Sequence, residues 1–527
     1  MQKTHNTSRL RLALLTATLF AVPALPAWAA DIKIGLSSEV TTIDPHFLNT
    51  GPNNAFLYHI FDTLTATDRD GKLVPSLAES WRAVDDTTWE FTLRKGVKFH
   101  DGSELTAADV IYSLDRPGLI TNSPGSYASY TKQIISKEAV DDHTVRLKTA
   151  EPYGPLTLDL ISIYIVSKKA AENASQEDFN SGKAAIGTGP YRFASFRKGE
   201  RIELQRFDDY WGDKPEWERV EFRILASAAP RLAALLAGDV DVIEAVPPAD
   251  LARLKTNAKV SLVQRTTWRT LFWQLDQFRD NSPFITDKAG QPLAQNPLRD
   301  VRVRQAISKA INRQALVERT LEGLAEAASN LNAPGIFGYN ADIKLEEYDP
   351  EGAKKLLAEA GYPDGFRLTI HGTNDRYIND AQVVQTVAQF LNRVGIETKV
   401  ETQPVATYFG KARASEYSFA LLGWGSLAAD FTLRAIVGTP NPDTGWGTWN
   451  WGQYSNAEVD KKIAAALGSV DREQQEAHAR DAAQTALSDY AVIPSHHQYA
   501  TWAVRKGLAY EGRIDEFTFA HEIKSAQ

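Results

Sequence analysis

The chain has 527 residues, with Lys+Arg 58 against Asp+Glu 66, a formal charge of −8, no cysteine and a single methionine. A net acidic chain is poorly suited to nucleic acid or an anionic membrane surface, and the lack of cysteine excludes disulfides, thiol catalysis, thiolate metal sites and an acylated-cysteine anchor. The length exceeds what one hydrophobic core serves, so roughly two or three domains are expected, and some of the 12 tryptophans are expected to line a binding surface.

At the start, Lys3, Arg9 and Arg11 form a positive leader, an apolar stretch follows from about Leu12 to Leu25, and Ala27-Trp28-Ala29 offers small residues at a cleavage site. The apolar stretch is too short to span a bilayer. Residues 1–29 therefore read as a cleavable secretory signal. Setting its three positive side chains aside moves the formal charge from −8 to −11. No later segment is continuously apolar for about 18 residues, and free diffusion in the periplasm of a Gram-negative cell is the expectation.

Asp31 to Leu36 and Thr88 to Leu93 alternate polar and apolar residues, and the alternation predicts half-buried strands. The same style recurs from Arg201 to Phe207. Helical spacing appears in Val303, Ala306, Ile307, Ala310 and Ile311. From Asp349 to Gly361 an Asp cap, a Pro at the first helical position and a terminal Gly bracket an apolar face of Ala353, Leu356, Leu357 and Ala360. A strand from Phe366 to Ile370 precedes a helix from about Ala381 to Leu391, so strands alternate with helices in α/β layers. No repeat or long linker divides the chain, which suits domains joined by crossing strands and able to close on a ligand.

Several landmarks carry a resemblance. They are Leu73-Val74-Pro75-Ser76-Leu77-Ala78-Glu79-Ser80-Trp81, the run from Trp89 through Gly96 to Phe99-His100-Asp101-Gly102, Leu105 to Val110, Gly187-Thr188-Gly189-Pro190-Tyr191, Asp300 to Ala306, Ala360 to Phe366, and Arg393-Val394-Gly395-Ile396. On these the chain, from about Ile32 to about Leu508, resembles the family 5 solute-binding proteins, which include dipeptide, oligopeptide, glutathione, haem and nickel receptors. The resemblance implies an α/β, two-lobed periplasmic binding protein fold (type II, cluster C) with an extra subdomain in lobe one and a ligand cleft between the lobes. It places lobe one at 30–270, with the subdomain at about 60–185, lobe two at 271–497, and a return to lobe one at 498–527. The crossings fall near Arg265 to Gln274 and His496 to Trp502. The implied function is that of a monomeric receptor without a cofactor, serving ABC permease and ATP-binding subunits.

The resemblance also implies a site. An acidic residue after a Gly-Trp pair holds the peptide ammonium, which assigns that role to Asp430 behind Gly423 and Trp424, with Trp424 as an aromatic wall. Arg376, following a lobe-two strand, is the expected carboxylate partner, because Arg offers a bidentate fork. Ser426-Leu427-Ala428-Ala429 lacks the second acidic residue and the proline usual in peptide receptors. A non-peptide ligand therefore stays open: an oligosaccharide, a glutathione-like compound, haem or nickel. Trp446, Trp449, Trp451 and Tyr454 crowd one Gly-rich loop and would suit a sugar or a flat ring. His496 and His497 are adjacent and face opposite ways on a strand, leaving His371 and His497 as the pair that could meet across the cleft. No His-Glu-x-x-His or Gly-x-Ser-x-Gly motif points to an enzyme.

Overall fold

Two long strands organise the computed structural model, which describes residues 31–526; the expected signal at 1–29 lies outside the described residues. Val260–Leu275 and Ile493–Arg505 pair antiparallel over nearly their whole length, from Val260 opposite Arg505 to Trp273 opposite Ile493. On one side the sheet continues through Val242–Glu244, Asp31–Leu36, Arg219–Ile224, Arg201–Arg206 and Tyr191–Arg197. On the other it continues through Phe419–Gly425 and Arg367–Thr373, with Glu397–Gln403 parallel to the latter. One twelve-stranded sheet thus runs through both lobes of an α/β architecture. A separate four-stranded antiparallel sheet, built from Ala78–Asp85, Thr88–Leu93, Thr144–Thr149 and Ile134–Asp141, forms a subdomain.

The expected elements form for the expected reasons. In Thr88–Leu93 the alternation buries Trp89, Phe91 and Leu93. The capped helix is Pro350–Glu359, with Asp349 accepting the Gly352 N–H at 2.8 Å. Val301–Ala310 is capped by Asp300, and Asp380–Arg393 buries Val383, Val384, Val387 and Leu391 on one face. Ala107–Leu119 opens with a capping box between Thr106 and Asp109.

The hydrophobic interior divides with the sheet. One cluster gathers residues from Ile32 to Phe222 and takes in Trp502, Val504, Ala520 and Ile523 from the end of the chain. Two others lie wholly between Leu271 and Ile493. A fourth cluster joins Leu232 to Val260 with Leu324 and Ala503, and a small fifth, Ala333, Ile336, Leu427 and Ile514, lies where the two sides meet, with Leu158, Ile161 and Trp268 against it.

Burial holds many histidines neutral. It lowers His46 and His496 to about 3, and His59, His100, His371 and His497 to about 4. The unfolded chain takes up these protons near pH 6.5 while the folded chain does not, so their contribution is complete above pH 6.5 and lost as pH falls toward 4. Asp62 and Asp159, raised to about 6 and about 7, act in the opposite sense, but the histidines outnumber them. Melting temperature measured by circular dichroism is therefore expected to fall steadily from pH 6.5 to pH 4.5, and His59→Gln is expected to flatten part of that slope. A melting temperature that rises with acidity would refute this balance.

Candidate functional site

A cavity of about 330 Å³ lies between the lobes. Lobe one supplies Tyr58, Asp62, Tyr130, Asp159 and Tyr164, lobe two supplies Gly425 to Ala428, Asp430 and Phe431, and the returning chain supplies Arg513, Phe517 and His521. Each wall has a local cause. The segment carrying Tyr58 and Asp62 is held by Gly189, whose N–H donates to the Ile60 carbonyl at 3.0 Å, and by Tyr191, whose N–H donates to the His59 carbonyl at 2.9 Å. A Cβ at Gly187 would lie 2.0 Å from the Ile60 oxygen, so glycine is required for this approach. Trp268 sits where the long ladder is interrupted between Thr266 and Thr270, and its N–H donates instead to the Ile514 carbonyl at 2.9 Å. Such a bulge re-aims a side chain out of the strand pattern, and here Trp268 joins the cavity wall.

Three carboxylates line this space with no basic partner within ion-pair distance among the described residues. Asp430, fully buried near the start of helix Ala429–Ile436, accepts the Phe431 N–H and the Gln475 amide, both at 2.7 Å. Burial raises its pKa against those bonds and against Arg434 and Arg472. Asp159 accepts the Tyr153 hydroxyl at 2.7 Å; burial lifts it to about 7, opposed by that bond and by Arg434 and assisted by Asp430. Asp62 accepts from Trp211 Nε1 at 2.8 Å and the Thr188 hydroxyl at 2.9 Å, and burial still lifts it to about 6. Arg513, the cation in the wall, is committed: it pairs with Asp515 at 2.8 Å and Glu522 at 2.5 Å and donates to the carbonyls of Thr67 and Asp68. Such a site can hold a cationic group, stripped of water, against aromatic walls.

Residues 72–434 match the profile of the bacterial extracellular solute-binding proteins, family 5 Middle. The chain belongs to this family. It is 31% identical to heme-binding protein A of Haemophilus influenzae, over 76% of this chain and 74% of that one. It is also 31% identical to the dipeptide-binding protein of Escherichia coli, over 67% of this chain and 68% of the relative, and 30% identical to the glutathione-binding protein GsiB of Salmonella typhimurium, over 88% and 87%. Among solved structures, the periplasmic binding protein DppA from Helicobacter pylori in complex with the peptide STSA superposes with a TM-score of 0.74 at 24% identity, covering 95% of this chain and 99% of that one. HbpA2 from Haemophilus parasuis superposes with a TM-score of 0.80 at 23% identity, covering 94% and 100%. These likenesses establish the two-lobed fold.

In this family 5 protein, Asp430 is the expected site residue that lines the cavity. Arg376 is exposed, lies outside the lining and places its guanidinium 5.6 Å from the Tyr377 ring. Gly423 is the backbone against which Tyr377 packs: its N–H donates to the Tyr377 hydroxyl at 3.0 Å, and a Cβ would meet that ring at 2.6 Å. Trp424 stacks on Phe431 at 5.9 Å and therefore stands behind the wall. Trp446 and Trp449 pack against the lobe-two core that buries Trp451 and Tyr454, with Arg413 over Trp449. His371 is wedged between Phe284 and Tyr417, and His497 bonds the Thr270 hydroxyl, so neither faces the cavity. Among the described residues no group of three or more His, Cys, Asp or Glu could hold a metal ion. Sequence reasoning missed Asp62, Asp159, Tyr58, Tyr164 and Trp268.

The lobes touch at Gly154, whose N–H donates to the Leu467 carbonyl at 2.8 Å. A Cβ there would fall 2.0 Å from the Ser469 oxygen and 3.0 Å from Gln475, the residue that bonds Asp430. Gly154→Ala is expected to oppose closure by about 1–3 kcal/mol, as overpacking does, and to enlarge the radius of gyration of the ligand-loaded protein in small-angle scattering. An unchanged radius would show that this contact does not limit closure.

Proposed function

We propose that the protein is the periplasmic substrate-binding component of an ABC importer, which captures a short peptide by closure of its lobes and delivers it to a membrane permease driven by ATP-hydrolysing subunits. The observation that carries this reading is the interlobe cavity in which Asp430 is buried with no cation in ion-pair contact among the described residues. A peptide ammonium supplies the missing charge, and Asp159 offers a second acceptor from the opposite lobe. The volume of about 330 Å³ stands at the small end of the range for ligand pockets. The dipeptide- and glutathione-binding relatives carry the same chemistry in their names. The leader at 1–29 supports export, and among the described residues no helix is long and apolar enough to cross a membrane. The separation of the hydrophobic clusters supports lobes of 30–270 with 498–527, and of 271–497.

Ligand drives closure through its extra affinity for the closed state, in which groups from both lobes reach it. The protein isolated without denaturation is expected to release peptide masses in native mass spectrometry; a single non-peptide mass would replace the peptide in this reading. With that ligand in calorimetry, Asp430→Asn is expected to weaken binding by about 2–5 kcal/mol, the usual cost of losing one member of a buried charge pair. Unchanged affinity would remove Asp430 from the anchor role.

A further inference from the structure

We propose that this cavity selects solutes with a net positive charge, and that Asp62 receives a second cationic group beyond the ammonium held by Asp430 and Asp159. The inference rests on the receptor reading above and narrows its ligand class.

The charges on the wall carry the argument. Asp62, Asp159, Asp430, Asp515 and Glu522 face Arg513 alone. Arg513 is consumed by Asp515 and Glu522, which leaves three carboxylates and no lining cation for a ligand carboxylate. Arg434, one turn beyond Asp430, offsets part of the Asp159 and Asp430 charge from outside the lining, with Lys132 acting on Asp159 and Arg472 on Asp430. None of the three is among the influences on Asp62.

Asp62 is set apart from that pair by its own surroundings. It is 8% exposed, and its oxygens are met only by neutral donors: Trp211 Nε1, the Thr188 hydroxyl and, at 3.4 Å, the Tyr210 hydroxyl. Tyr210 and Trp211 line the cavity beside it. A carboxylate oriented by neutral hydrogen bonds, buried and without a counter-ion is stabilised when a cation enters. Tyr58, Tyr164, Trp268 and Phe517 line the same space, and aromatic ring faces attract cations. A zwitterion with one ammonium would leave Asp62 unanswered and its own carboxylate unpaired; a basic side chain answers Asp62.

Calorimetry on the ligand-depleted full-length mature protein tests this with alanyl-lysine, its uncharged counterpart alanyl-norleucine, alanyl-glutamate and the diamine cadaverine. Alanyl-lysine is expected to bind about tenfold or more tighter than alanyl-norleucine, with alanyl-glutamate weakest. Asp62→Asn is expected to abolish the lysine preference. Equal binding of the lysine and norleucine peptides overturns the charge inference and leaves the peptide reading intact. Cadaverine binding that depends on Asp62, with no peptide bound, sustains the inference and removes the peptide reading. A lysine preference that survives Asp62→Asn, or no binding by any cationic probe at millimolar concentration, overturns the inference. Should Asp62→Asn fail to fold by circular dichroism, the wild-type comparison of lysine with norleucine decides.

Discussion

Val260–Leu275 and Ile493–Arg505 share a ladder of main-chain hydrogen bonds that begins beside the lobe-one strands and ends beside the lobe-two strands. Because each bond fixes the next, the relative placement of two large cores is set by one antiparallel register. The ladder shifts register twice, between Thr266 and Thr270 and again between Leu271 and Phe272, and at the first of these, near its middle, ladder bonds are missing. Arg269 is tied there to Glu516 at 2.8 Å, and Thr267 to the Gln498 carbonyl at 2.9 Å. The same irregularity that loosens the ladder turns Trp268 into the cleft. One local departure from pleat geometry therefore provides both a place to bend and a wall for what is captured.

The cleft is built against the ordinary economy of folding. A carboxylate taken out of water without a partner costs free energy, and Asp62, Asp159 and Asp430 all show that cost as a raised pKa. Lobe one contributes two of these groups and lobe two the third, so bringing the lobes together concentrates like charge. In the absence of a cation this repulsion works against the shut form. A positively charged guest reverses its sign. Selectivity and closure thus draw on a single electrostatic term, while apolar contacts such as Leu427 with Ile514 are indifferent to what is bound.

Elements with local causes were legible in the sequence. The Asp349 cap, the period of Val303 to Ala310 and the alternation of Thr88 to Leu93 act within a few residues of chain, and the structure returns each within a residue or two. Asp430 could be singled out because it follows a recognisable Gly-Trp segment. Arg376 had only its place after a strand to recommend it, and the turn leaves it in solvent. The tryptophan-rich loop looked like a binding surface because composition does not tell which side of a loop faces its own core. Asp62 and Asp159 carry no local mark. Their burial comes from Trp211, Thr188 and Tyr153 meeting them in three dimensions, and an isolated Asp in an apolar run reads the same whether it ends at the surface or in a cleft.

The final stretch of the chain carries a consequence for how the molecule comes into being. Arg513, Phe517, Phe519 and His521 all stand in the cavity wall, and Ala520 donates to His59 across more than four hundred residues of sequence. The binding chamber therefore cannot exist on a partial polypeptide. The two clusters that lie between Leu271 and Ile493 can assemble from neighbours already made, whereas the cluster that holds Ile32 and Phe222 must wait for Trp502, Ala520 and Ile523 to arrive. Long-range closure of this kind is slow. Until that tail docks, Trp217 lacks its carbonyl partner at Ile523 and the aromatic floor of the chamber stands open, so the interval between synthesis and completion is the period when the chain most needs protection from its own exposed apolar surface.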